Sequence, residues 1–573
     1  MASKEVFLIM KKKLLSILII ISMFAGVGLF ATACGGNGTP TPRYTVTIVD
    51  PPAGITNFTV MDGETRIESG TQVTSGTVLT INWESDVRVV LNINGEQFVP
   101  ANLPHTHIVT GATAIALTHY AWIRDVASLS NMSMSGTYRL GANLTLTDWT
   151  PIGTTANPFT GRLFAELDAS GQPEYTIASL EILETYAVGD LHFAALIGVN
   201  AGTVRNIHIE ELNIDIDVDT LMPNGRVFVG GIAGFNDGEI INAYIKGEIN
   251  AVASNGGIMA GLVVGHNTGA DAIIKDSVVS GSIKVEHIGN DDNPILSASN
   301  RVGGLVGLLS DEATVLRSAA HVDVSVKVGN VYGNDNISSG SSNAAGLVGH
   351  IDSSATIRQS FATGDAIIIS YRETSYAAGL VGNISVGADD VVRIIETFAI
   401  GNATATANGG NAYVAGLIGR IDDRLNMDIY IRDSYATGNA QIKSTITYGD
   451  NNHYVGGLIG RADARAGGVI WIENCVATGD VRGSSFSTTN DNFANFLVGR
   501  FQGSGASRVA INNYTRYGSV LEGLDDGDNE RLIGIRTSID LLTDYEWQLG
   551  NLGWDPLVWT FVDGYFPTLT WSV

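Results

Sequence analysis

The chain has 573 residues, with 58 acidic side chains against 33 Lys and Arg and a formal net charge of −25. That balance argues against nucleic acid as a partner, because phosphate binding needs a basic footprint. It also argues against electrostatic attraction to an anionic lipid surface. A hydrophobic content of 45% excludes general disorder, while 68 glycines and only 16% charged residues fit a turn-rich β protein of several domains.

Residues 1–33 read as a targeting segment. Met10-Lys11-Lys12-Lys13 opens a positive stretch, Leu14 to Phe30 is almost wholly apolar, and Ala31-Thr32-Ala33-Cys34-Gly35-Gly36 follows. The pattern resembles a bacterial lipoprotein signal, which implies cleavage between Ala33 and Cys34 and a lipid on Cys34. Ala31 stands where Leu is more usual in that signal. An ordinary secretory signal cut at Ala33, or an uncleaved anchor helix, fits the same apolar run. Residues 34–43, with Gly35-Gly36-Asn37-Gly38-Thr39-Pro40-Thr41-Pro42, form a tether. Of the two cysteines, Cys34 takes the lipid, so Cys475 has no intramolecular disulfide partner.

Residues 44–112 read as a small β-sandwich-like domain. Tyr44 to Val49 alternates at period two, and further strands are expected at 77–83 and 87–93, with Gly63, Gly70, Gly76 and Gly95 at turns. His105 and His107 share one strand face, but no third ligand accompanies them and no metal site is expected. Residues 113–190 are assigned to an N-terminal cap and first coils, with a helix expected over 119–131.

Residues 191–520 carry a repeat. Gly304-Leu305-Val306-Gly307 recurs as Gly346-Leu347-Val348-Gly349, Gly379-Leu380-Val381-Gly382, Gly416-Leu417-Ile418-Gly419 and Gly457-Leu458-Ile459-Gly460, with weaker copies from Ala195, Gly231, Gly261 and Asn495. The starts lie 30 to 43 residues apart, and self-similarity at such a period marks a stacked fold. Each unit has a second landmark, such as Ser360-Phe361-Ala362-Thr363-Gly364 or Ser434-Tyr435-Ala436-Thr437-Gly438. Aligned on its aromatic position, the units give four columns. An aliphatic column holds Ile357, Ile394, Ile431 and Trp471. A short polar column holds Ser360, Thr397, Ser434 and Asn474. An aromatic column holds Phe361, Phe398, Tyr435 and Cys475, and a small column follows. Cys475 is thereby read as structural. Short Ile/Val/Thr-rich runs between Gly and Asn/Asp are strands, and stacking them makes the columns into ridges and hydrogen-bonding ladders.

These phrases resemble the GLUG-motif repeat of bacterial cell-surface proteins. The likeness extends upstream through Trp149-Thr150-Pro151-Ile152-Gly153 and Pro158-Phe159-Thr160-Gly161, and downstream through Gly553-Trp554-Asp555 and Gly564-Tyr565-Phe566-Pro567. The resemblance implies an all-β right-handed parallel β-helix with capping regions and an exported, adhesin-like role. Residues 521–573 are then a C-terminal cap, in which Trp547, Trp554, Trp559 and Trp571 pack over the last coil rather than bind sugar rings.

No catalytic constellation is evident. Some GLUG-containing proteins are immunoglobulin-cleaving metallopeptidases, and the His-Glu-x-x-His signature of that chemistry is absent from this sequence. Acidic turns at 290–293, 334–336, 450–452 and 490–492 read as solvated loops. The densest patch, Asp525, Asp526, Asp528 and Glu530, is a weak calcium candidate without EF-hand spacing. The expectation is a non-enzymatic, lipid-anchored surface protein without a cofactor, held to a membrane by its lipid and binding an extracellular glycan or protein. The alternatives are an envelope spacer and a carbohydrate-active β-helix enzyme.

Overall fold

The computed structural model describes residues 41–51, 55–85, 89–94, 96–98, 103–218, 225–254, 256–287, 299–329, 340–371, 373–422, 426–443, 451–464, 467–484, 492–503, 508–522 and 534–572. Ala33, Cys34 and the acidic residues Asp525, Asp526, Asp528 and Glu530 lie outside them, as do most of the acidic turns. The chain divides into two compact units, meeting at Thr118 and His119.

The first unit is a two-sheet β structure. One sheet places Arg43–Ile48 between Thr71–Thr74 and Thr113–His119, and the other is built around Ile55–Asp62 and Val78–Ser85. Alternation places Val46, Leu79, Ile81, Leu91 and Ile115 in one apolar core shared by both sheets. His105 and His107 lie two apart on the strand His105–Ile108, both half-buried. Among the described residues no cluster of three or more His, Cys, Asp or Glu side chains suits a metal ion.

The second unit is a parallel β-solenoid. In the turn beginning at Ser341 the chain runs through four faces. Face 1 holds Ser341–Ala345, face 2 Val348–Ile351, face 3 Ala355–Arg358, and face 4 Phe361–Ala362 with Ala366–Tyr371. Successive turns pair in parallel, giving sheets of 10, 9, 12 and 17 strands for faces 1 to 4 among the described residues. Ile357 pairs with Ile394 and Ile394 with Ile431. All three are fully buried in one continuous core, so the aliphatic ridge read from the sequence is present.

The repeated glycines have a steric cause. A Cβ on Gly379 would lie 2.1 Å from the Gly416 carbonyl and 2.8 Å from the Ala399 methyl, and one on Gly416 would lie 2.3 Å from the Gly457 carbonyl and 2.9 Å from the Ala436 methyl. The first glycine therefore lets the corner between faces 1 and 2 approach face 4, and it requires the small column there. The second glycine stacks on its own kind: a Cβ on Gly382 would lie 2.5 Å from the Gly349 carbonyl.

The corner between faces 3 and 4 carries a different solution. Asn206, Asn242, Asp276, Arg317, Gln359, Glu396, Asp433, Asn474 and Asn512 all adopt φ between 45° and 57°. That left-handed conformation costs a non-glycine residue about 1–2 kcal/mol, least for Asn and Asp. The side chains offset it by bonding along the stack: Asn242 Nδ2 donates to Asn206 Oδ1 at 2.9 Å, and Asn512 Nδ2 to Asn474 Oδ1 at 2.9 Å. The next position holds the polar ladder. The backbone N–H of Ser318 donates to Ser360 Oγ, and that of Thr397 to Ser434 Oγ, each at 3.1 Å.

Three sequence expectations change here. Cys475 belongs to the polar ladder and not to the aromatic column: Tyr435 pairs with Val476 and Ile431 with Ile472. Its thiol donates to the Glu473 carbonyl at 3.2 Å, as Ser434 Oγ does to the Arg432 carbonyl at 2.7 Å. Trp471 accordingly points outward beside Tyr430. The last repeat begins at Phe496, since Ile459 pairs with Val498, and not at Asn495. The expected helix over 119–131 is only Val126–Ser130, closed by a reciprocal Asp125/Ser128 capping box; Ala121–Ile123 is already a strand of face 3, paired with Tyr138–Leu140.

The C-terminal tryptophans lie along the flank of the solenoid, from the turn of Tyr514 back to that of Phe361. Phe361, Phe398 and Tyr435 stack at 4.4 and 4.8 Å between ring centroids. Leu542, Trp554, Trp559 and Leu569 bury against this column. Trp554 Nε1 donates to the Asn474 carbonyl at 3.0 Å and Trp571 Nε1 to the Gln359 carbonyl at 2.9 Å, so the indoles satisfy left-handed corner residues. Among the described residues no helix is long and apolar enough to cross a membrane.

Candidate functional site

Two surfaces of the solenoid concentrate chemistry. The first is the seam where outward side chains of faces 1 and 2 meet. Tyr376, Tyr413 and Tyr454 stack at 5.1 Å intervals, and Phe493 follows at 5.8 Å. Arg420, Arg461 and Arg500 lie 4.9, 4.8 and 4.4 Å over the rings of Tyr413, Tyr454 and Phe493. Arg461 also bonds Asp463 Oδ1 at 2.9 Å and Gln502 Oε1 at 2.8 Å. Nearer the N-terminus His266 packs against Phe228 and Phe235, and its Nε2 lies 2.7 Å from Ser310 Oγ. Burial, followed by the charges of Arg301 and Arg226, pushes this imidazole down to about 3, so it is neutral at physiological pH. Ser310, Tyr376, Tyr413 and Tyr454 are all buried. The seam is filled by its own side chains and reads as a packing device.

The second surface is open. On face 3 alternate side chains of each strand enter the core and the intervening ones point outward: in Val391–Ile395, Val392 and Ile394 are buried and Arg393 is exposed. Arg393, Tyr430, Trp471 and Val509 pair in register across successive turns, at the strand spacing of about 4.8 Å. Arg393 lies 5.9 Å over the Tyr430 ring. Arg393 is exposed and Tyr430 and Trp471 are partly exposed. A parallel outward column holds Leu316, Arg358, Ile395, Arg432, Glu473 and Ile511.

The cations of this face are set locally. Arg358 Nε and Nη2 donate to the two Glu396 oxygens at 2.9 and 3.3 Å, which raises the guanidinium above its usual range. Arg432 Nη2 reaches Glu473 Oε2 at 2.7 Å, and Trp471 Nε1 donates to the same carboxylate oxygen at 3.2 Å. Among the described residues no carboxylate pairs with Arg393. The arrangement is a flat platform with two adjacent aromatic side chains, one unpaired guanidinium and apolar neighbours. It can stack on planar or ring-shaped groups and bind an acceptor at Arg393. The sequence hid this row because the one-residue misalignment placed Trp471 in the core; the period-two alternation of Val469–Glu473 was the signal that locates it outside.

A cavity of about 490 Å³ lies between residues 148–151 and 183–186, lined by Asp148, Trp149, Pro151, Glu184 and Tyr186 among others. The glycines predicted as repeat landmarks hold the stack together and touch no open surface. Cys475 is sealed in the core, and burial drives its thiol far above the ordinary range.

No family model matches the chain. An immunoglobulin A1 protease of Streptococcus pneumoniae is 24% identical over 275 residues, which cover 47% of this chain and 12% of that protein. The chain thus spans about an eighth of the curated relative it matches. A crystal structure from Bacteroides ovatus, described as a candidate immunoglobulin A1 protease, aligns over 79% of this chain and 93% of its own, at 13% identity and a TM-score of 0.29. The relative's name overturns the expectation of a non-enzymatic chain. That expectation leaned on the absence of recognisable catalytic motifs from the sequence, which bears only on the chemistries those motifs serve.

Proposed function

We propose that the chain is an exported protein of the GLUG-repeat type, attached to a membrane through lipid on Cys34, whose solenoid holds an immunoglobulin substrate for protease-type chemistry. The observation that carries the reading is the row Arg393–Tyr430–Trp471 on the open face. The relative supplies the substrate class, being named for immunoglobulin A1. An aromatic pair backed by an arginine is the composition of a protein-binding hot spot. The same row suits a glycan as a second reading, since sugar rings stack on Tyr and Trp faces.

One set of strains tests both halves. Cells expressing the full chain are fractionated and titrated with immunoglobulin A1, and the digest is run on a gel. The expected result is membrane-bound chain that binds the immunoglobulin. Cys34→Ala should release the chain to the soluble fraction with binding intact, and Tyr430→Ala with Trp471→Ala should weaken binding about tenfold or more at an unchanged melting temperature. A wild-type chain that neither binds nor cleaves immunoglobulin A1 sinks the substrate assignment; a Cys34→Ala chain still in the membrane sinks the anchor.

A further inference from the structure

We infer that residues 539–565 form a docking surface for a cationic protein segment with an apolar face. Leu541, Tyr545, Val562 and Tyr565 are 47, 42, 55 and 68% exposed. They stand on two turns that are tied to each other. The Tyr545 ring lies 5.3 Å from Phe561, and the Gly564 N–H donates to the Thr543 carbonyl at 3.1 Å, which sets the Val562–Tyr565 turn against the helical turn of Tyr545. Its backing is fixed: Leu542, Trp554 and Trp559 are buried against the aromatic column, and Tyr435 Oη donates to the Pro567 carbonyl at 2.8 Å. A surface already ordered loses little entropy on binding, so its apolar area is available for affinity.

The charge names the partner. From Thr537 to Val573 the sequence has five carboxylates and no Lys or Arg. Asp540, Asp544, Glu546 and Asp563 stand in the same turns as the four apolar side chains. Carboxylates interleaved with exposed apolar side chains favour Lys or Arg set among apolar side chains and reject anionic surfaces. A second copy of this chain, at −25, is disfavoured on the same ground. The patch is distinct from the Arg393–Tyr430–Trp471 row, so either can fail without the other.

The test is fluorescence anisotropy of the full chain with three labelled helical peptides of equal length: Leu/Arg with an apolar face, Ser/Arg of the same charge, and Leu/Glu. The Leu/Arg peptide is expected to bind, the Ser/Arg peptide about tenfold more weakly, and the Leu/Glu peptide not at all. The combined variant Tyr545→Ser, Val562→Ser and Tyr565→Ser should lose about tenfold for Leu/Arg and keep the wild-type melting temperature. If that variant misfolds, Asp540→Asn with Asp563→Asn decides instead, by a shallower salt dependence of Leu/Arg binding. The inference is overturned if the variants bind Leu/Arg as the wild type does or if Ser/Arg binds equally well. It is also overturned if the patch variants abolish a self-association of the wild-type chain, which would make a second copy the occupant.

Discussion

A single residue decides the register of the eighth repeat. Cys475 occupies a ladder position, where a short side chain returns a hydrogen bond to the carbonyl two residues back and its own N–H meets Asn513 Oδ1 at 2.9 Å. Serine fills that role in neighbouring turns, so Cys475→Ser should change stability by about 1 kcal/mol or less. Cys475→Phe, harmless had the residue belonged to the aromatic column, should cost about 1–3 kcal/mol by overpacking. Urea unfolding of the two variants checks this; a Phe variant as stable as the Ser variant would reject the register. The misreading came from anchoring the alignment on ring size. Val476 takes the aromatic position with no ring at all, and the left-handed corner immediately before the ladder, filled by Asn474, was the more dependable landmark.

At the scale of one turn, the glycine phrase was legible in sequence and its cause was not. The motif's recurrence announced stacking, yet only the fold shows that Gly379 faces Ala399 across the core and Gly416 faces Ala436. The two landmarks are therefore one constraint, linking a corner to the opposite face. Gly379→Ala should force the Gly416 carbonyl and the Ala399 methyl apart and destabilise the chain by about 1–3 kcal/mol, like other overpacked sites. Gly553→Ala is the control for a glycine with open space around it, though its positive φ adds a smaller strain. Equal melting temperatures for the two would reject the close-approach explanation. The open-face row was illegible for a related reason. Tyr430 and Trp471 are separated by 41 positions in the sequence, and they become neighbours only when the turns are counted correctly.

Across the whole solenoid, the lateral aromatic column is the exposed liability of a stacked fold, because every added turn extends an apolar stripe along the outside. Here residues 538–572 cover that stripe from Phe361 to Tyr514, with Trp554 and Trp559 as its largest buried side chains. Each large aromatic buries about 150–250 Å², so a single Trp554→Ala should cost about 3–5 kcal/mol. It would also free the Asn474 carbonyl, at a left-handed corner, from its donor. Deleting residues 538–573 should keep the strand signal in far-ultraviolet circular dichroism while lowering the melting temperature and opening the column to a hydrophobic dye. The expectation follows from where the contacts lie: the turns pair with one another along all four faces, whereas the C-terminal segment meets the column chiefly through side chains. A truncated chain that melts like the full one and takes up no dye would mean that the stripe needs no cover, and that the tryptophans serve something other than the stack beneath them.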